Sequence, residues 1–304
     1  MFTIARGTRA FGMQLPVQAQ STYFVAEWER SAGPAEMARI AKLCDDHGFA
    51  YVAVCDHVVI PESFASSMGT FWVDPMSTLG WLAALTERVM LLTHVYVLPF
   101  RPAELAAKQF ATLDWLSGGR AICGVGVGHV AAEFERLGLD HHRRGATASE
   151  RLPVMLQALE QEFIDGMGAT PRPIQSPRPP VWVGGSSDAA VARAARFGDG
   201  WIPQGPATRE LVDLLQRERE AAGRSDEPYA IGHIVPWIYV GTPDWDPGAD
   251  TITGSPDAIA DAVLASGPAE VNQLQVRFRS RSVDELADQV VAFATDVAPL
   301  LRTI

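Results

Sequence analysis

Residues 89–128, VMLLTHVYVLPFRPAELAAKQFATLDWLSGGRAICGVGVG, read as strand, helix, strand. Two apolar, strand-like runs, 89–99 and 121–128, flank a helical segment that Gly118 and Gly119 bring to a stop. A strand, a helix and a second strand imply parallel pairing through a helical crossover. The same alternation extends in both directions: AFGMQLP at 10–16 and YVAVCDH at 51–57 come before it. VWVGG at 181–185, GWIPQ at 200–204, IGHIVPWIYVG at 231–241 and VNQLQVRF at 271–278 come after. Met37, Ile40, Ala41 and Cys44 share one helical face, as do Val283, Leu286, Val290, Phe293 and Val297. Gly48 follows the first helix, Ser255-Pro256-Asp257 opens the seventh in N-cap fashion, and a helix is expected around 149–163. Eight βα units in 304 residues predict an α/β fold closed into a (β/α)8 TIM barrel rather than an open doubly wound sheet.

With no linker or low-complexity tract, residues 1–304 are expected to form one domain, entered at its fifth strand through the proline-rich TPRPIQSPRPP at 170–180. Two long connections, about 58–75 and 129–180, are expected to act as lids at the C-terminal face of the strands. A net charge of −11 opposes binding to nucleic acid or to anionic membrane and favours a small-molecule partner. Cys44, Cys55 and Cys123 have neither disulfide-framework nor zinc spacing. The N-terminal segment has no signal-peptide pattern and no apolar run approaches spanning length, so a cytoplasmic protein is expected.

His57, His94 and His129 fall at the ends of consecutive strands, where barrels of this class carry catalytic groups, and imidazole exchanges protons near neutral pH. Each alone reads as well as a packed or solvated histidine. Asp56 adds a metal-type donor, but the first strand, FGMQLP, offers no ligand, so no metal is expected. Gly126 and Val127, in CGVGVGH, lie where a bare backbone admits a bulky ligand. Gly184, Gly185 and Ser186 precede a helix N-terminus, which suits either an anion or an ordinary cap. Neither glycine segment has the spacing of a dinucleotide fingerprint, and no nucleophile-elbow motif is present. Phe64, Met68 and Trp72 in the first long loop are candidates for an apolar substrate pocket or for anchoring the loop. Arg143 and Arg144 suit either an acidic cofactor tail or solvent.

The blocks at 48–61, 74–128 and 179–201, with the tail RFRSRSVDELADQVVAFATDVAP, resemble the luciferase-like monooxygenase superfamily, especially its branch that uses the deazaflavin coenzyme F420. The resemblance implies a barrel with the cofactor ring over the strand ends and, commonly, a homodimer. It implies that Asp56 and His57 lie beside the ring, that Thr93, His94 and Val95 back it, often across a non-proline cis peptide, and that Gly184, Gly185 and Ser186 receive its phosphate. His129 stands where the sugar-phosphate dehydrogenase branch has a glutamate proton donor, and His94 where that branch has a small polar residue. The resemblance thus implies an F420-dependent oxidoreductase exchanging a hydride with a small organic substrate, with His57 and His129 catalytic and Asp56 placing the cofactor. The alternatives are an FMN-dependent monooxygenase and a non-catalytic flavin-binding protein.

Overall fold

Successive strand residues face two different apolar environments, and this alternation closes the sheet. In the computed structural model, which describes residues 1–303, Tyr51, Ala53, Leu92, Ile122 and Trp182 pack together inside a ring of strands. Their neighbours Val52, Val54, Leu91, Cys123 and Val181 belong to the larger core between strands and helices. The strands are β1 (Ala10–Gln14), β2 (Tyr51–Val54), β3 (Met90–Thr93), β4 (Ala121–Gly126), β5 (Val181–Gly184), β6 (Gly200–Ile202), β7 (Ala230–Ile234) and β8 (Gln273–Gln275). Each pairs in parallel with the next, and β8 returns to β1 with Ala10 opposite Gln273 and Gly12 opposite Gln275.

One helix of the outer ring follows each strand: α1 (Pro34–Asp46), α2 (Pro75–Ala83), α3 (Ala103–Leu116), α4 (Arg144–Glu160), α5 (Asp188–Phe197), α6 (Arg209–Ala221), α7 (Pro256–Ala265) and α8 (Val283–Ala292). The result is the (β/α)8 TIM barrel that the repeat predicts. Because all eight strands run the same way, all their C-terminal ends open on one mouth. Among the described residues no helix is long and apolar enough to cross a membrane.

Three local differences from the sequence expectation have physical causes. The run at 231–241 is two strands, because Pro236 has no N–H for the ladder. Trp237–Val240 leaves the barrel to pair with Thr251–Gly254. The helix expected around 149–163 begins at Arg144, a turn earlier, and tolerates Pro153 inside it. Residues 129–180 are divided between a short helix at the mouth (Ala131–Arg136), α4 of the outer ring, and a small hairpin of Phe163–Ile164 with Met167–Gly168 beyond the end of α4. Residues 58–75 are tied to the loop after β1, with backbone bonds from Thr22 to Ser67, Gln20 to Phe71 and Val73 to Gln18.

The third run breaks as well. β3 stops at Thr93, the His94–Val95 peptide is cis, and Tyr96–Val97 pairs with Val125 and Gly126. The Val95 side chain enters the space that two glycines leave open. A Cβ on Gly126 would lie 2.3 Å from a Val95 methyl carbon, and one on Gly184 would lie 2.8 Å from the other. The bare backbone of the GVGVG run is therefore filled by the chain's own Val95 rather than left clear for a ligand. Gly126→Ala is expected to cost about 1–3 kcal/mol through overpacking. In the Gly126→Ala/Val95→Ala double variant part of that loss should return, seen in urea unfolding as a non-additive pair. Strictly additive losses would contradict this packing.

Candidate active site

Polarity rises along the inside of the barrel toward the mouth. Below, Gln273 bonds the Tyr51 hydroxyl within an apolar surround. Above, Gln275 Nε2 donates to Gln14 Oε1 at 3.1 Å. The Gln14 amide nitrogen in turn lies 3.1 Å from His94 Nδ1 and 2.9 Å from Cys55 Sγ. An amide donor at Nδ1 assigns the imidazole proton to Nε2. That Nε2 is buried with no partner, as are Gln275 Oε1 and Trp72 Nε1. Burial lowers the His94 pKa to about 4, so the ring is neutral near pH 7, and pushes the Cys55 thiol up to about 12.

The end of β2 divides two roles between adjacent residues. Asp56 has a nearly inaccessible carboxylate whose oxygens accept from Arg101 at 2.5 and 2.9 Å and from the Val97 amide at 2.8 Å. It binds β2 to the segment that follows Val95 and presents no free oxygen to a ligand. His57 turns outward. Its Nδ1 lies 3.0 Å from an oxygen of Glu133, whose other oxygen accepts the Val58 and Val59 amides at 2.5 and 3.2 Å. The Glu133 side chain is 1% exposed. With Nδ1–H donating to the carboxylate, His57 Nε2 is an acceptor, and no group of the described residues bonds it. The Trp72 ring packs on His57 at 4.4 Å and the His129 ring at 5.4 Å. Desolvation, then the neighbouring His57, holds the His129 pKa below its usual value.

The structure thus brings His57 and His129 together but places His94 on the inner amide chain. Glu133, which sequence reasoning missed, sits on the short helix after His129, between the buried Val130 and Phe134. Its only sequence signal is that helical spacing, which a surface acid also shows.

At the corner between β4 and β5, Thr93 is fully buried with its hydroxyl on the Gly124 carbonyl. Val127 is half-buried beyond the end of β4. The Gly185 amide is committed to the Ile202 carbonyl and the Ser186 hydroxyl accepts from the Gln204 amide. The amides of Ser186 and Ser187 have no partner among the described residues, so the anion cradle shifts toward the start of α5. Arg193, in the middle of α5, donates to Gly145 and Ser149 in the first turns of α4, holding the two helices together. Arg144 Nε and His141 Nε2 are buried there without partners, whereas Arg143 pairs with the exposed Glu150.

A cavity of about 820 Å³ occupies the other half of the mouth, lined by Gln14, Phe24, Trp28, Trp237, Gln275 and Arg277 among others. Phe64, Met68 and Trp72, the expected pocket residues, do not line it. Phe64 is exposed and Met68 buried, because the 58–75 loop is fastened to residues 18–22 and the segment after them supplies the wall. Trp72 meets the cavity through Phe24, whose ring lies 5.9 Å away. Sequence reasoning missed this cavity: its lining is gathered from segments far apart in the chain, among them Met13–Pro16, Tyr23–Glu29, Trp237 and Gln275–Arg281. Among the described residues no group of His, Cys, Asp and Glu is placed to hold a metal ion.

A family model described as luciferase-like monooxygenase matches residues 11–244. An uncharacterized protein of Mycobacterium tuberculosis is 31% identical over 269 residues, covering 78% of this chain and 92% of its own. The barrel is also similar to the coenzyme F420 dependent tetrahydromethanopterin reductase of Methanopyrus kandleri, with a TM-score of 0.73, 19% identity, and 96% of this chain and 99% of that one covered. It is similar in the same way to a monooxygenase from Streptomyces bottropensis, with a TM-score of 0.72, 19% identity, and 95% and 99% covered. These two likenesses concern the fold.

His94 and His233 are both held neutral by burial, each lowered from 6.5 to about 4. The unfolded chain takes up protons near 6.5 that the fold resists, so their contribution to stability falls as pH drops from about 6.5 to about 4. Urea unfolding across that window should show a shallower decline for His94→Gln than for the unchanged protein. Equal slopes would contradict the neutral, buried assignment.

Proposed function

We propose the following function for a chain that belongs to the luciferase-like monooxygenase family: an F420-dependent oxidoreductase exchanging a hydride with a small organic substrate at the barrel mouth. The observation that carries it is the His57–Glu133 pair at the end of β2, whose Nε2 has no hydrogen-bond partner among the described residues and whose ring packs against His129. Three buried polar atoms without partners, His94 Nε2, Gln275 Oε1 and Trp72 Nε1, fit the polar edge of a flavin-type ring. Val95 and His94 would back that ring, and the amides of Ser186 and Ser187 with Arg144 would hold a phosphate. When bound, the deazaflavin supplies hydride chemistry at its C5 atom.

The chain's own task is the companion proton. Glu133 fixes the His57 tautomer and orientation, so Nε2 accepts a proton from a substrate hydroxyl or, once protonated, returns one to a carbonyl. His129, kept neutral near pH 7, is placed to pass that proton toward solvent. Asp56 acts through Arg101 and the Val97 amide, holding the ring-backing segment in position. Trp72 packs against the imidazole and limits its rotation.

F420 and FMN offered separately to the purified protein should give a micromolar or tighter complex with F420 and far weaker binding of FMN. Tight FMN binding without F420 affinity would overturn the proposal. With F420 bound and a panel of alcohols, ketones and activated alkenes, His57→Ala should lower kcat about 10²-fold or more. Glu133→Gln should lower it about tenfold with cofactor affinity unchanged. Full activity in both variants would remove the acid–base assignment.

A further inference from the structure

We propose that Arg277 is the anchor for an anionic group, a carboxylate or a phosphate, on the organic substrate, whose apolar body lies among Phe24, Trp28 and Trp237. Arg277 follows β8 by two residues, so by strand alternation its side chain shares a wall of the cavity with Gln275. Its Nε donates to the Val235 carbonyl at 3.0 Å, and its guanidinium lies 4.7 Å from the centre of the Trp237 ring. These two contacts hold the fork in place while its terminal nitrogens find no acceptor among the described residues.

The neighbouring arginines are paired and Arg277 is not. Arg279 meets Asp250 at 3.0 Å, and Arg281 meets Asp244 at 3.0 Å and Glu285 at 2.9 Å. Among the described residues no carboxylate forms an ion pair with Arg277. The acids that line the same cavity are engaged elsewhere. Glu29 accepts the Val17 and Ala26 amides, Asp246 accepts the Gly248 amide, and Glu27 meets Arg30. Asp250, the acid whose charge reaches Arg277, is paired with Arg279, so a half-buried guanidinium with no ion-pair partner of its own carries a desolvation cost that a bound anion relieves. Desolvation also holds its pKa below the usual guanidinium value.

The anion belongs to substrate because the cofactor phosphate has its own donors. Ser186, Ser187, Arg144 and His141 sit at the β4–β5 corner, across the barrel from β8. Assignment to substrate rests on the proposed function; the anion subsite itself does not. The planar fork suits bidentate recognition of carboxylate or phosphate, and the aromatic walls suit an apolar or aromatic body.

Calorimetric titration of the cofactor-free protein with 4-phenylbutyrate, phenyl phosphate and the neutral 4-phenylbutyramide tests this. The anions should bind at least about tenfold more tightly than the amide. Arg277→Met should bind all three within about twofold of one another, and Arg277→Gln should do the same should the first variant fail to fold. No preference in the unchanged protein, or a preference kept in either variant, overturns the subsite. A loss of F420 affinity in a folded Arg277 variant overturns its assignment to substrate. Anion preference in a protein that binds neither F420 nor FMN supports the subsite and overturns the proposed function.

Discussion

The side chain of Val95, seated in the space left by Gly126 and Gly184, is the contact on which the mouth of this barrel depends. It locks the end of β3 against β4 and β5 at the level where the interior changes from apolar to polar. Asp56 reinforces it from β2 by holding Arg101 and the Val97 amide, so four consecutive strand ends are fixed relative to one another. With that surface rigid, the groups around it can be held without partners of their own. Gln14, Gln275 and His94 form an amide–imidazole chain that ends in unpartnered atoms. A folded protein tolerates such atoms where a ligand completes them.

Charge is distributed to match. The chain as a whole is acidic, yet unpaired cationic or proton-donating nitrogens gather at two places on the mouth: Arg144 and His141 at the β4–β5 corner, and Arg277 beyond β8. Between them stands the His57–Glu133 pair. Its carboxylate is buried and is stabilised by two backbone amides as well as by the imidazole. On the proposed reading, these two points would each take an anion, one from the cofactor and one from the substrate, with the imidazole–carboxylate pair between them.

The fold was legible because period and punctuation agree. All eight strand runs are strands, and the face of Met37, Ile40, Ala41 and Cys44 is buried as the helical period requires. Pro236 and the cis peptide after His94 end strands that hydropathy alone extends, since hydropathy does not register a missing N–H or a turn of the backbone. The site was legible only in part. His57 and His129 meet because β2 and β4 are neighbours of β3, which chain order discloses. Glu133 was not legible: its burial depends on where a short helix lands. Arg277 was not either, because the absence of a partner is a property of space and not of spacing. Asp56 sits beside His57 at the end of β2 as chain order requires, but what it touches is Arg101, 45 residues further along the chain.

The proposed cofactor site at the barrel mouth has Val95 and His94 at its back. A crystal structure of the protein soaked with F420 tests it most directly. The deazaflavin ring should lie against Val95 with His94 Nε2 within hydrogen-bond distance of its polar edge, and the phosphate at Ser186 and Ser187. A ring bound elsewhere on the barrel, or a mouth that stays empty at saturating cofactor, would contradict it.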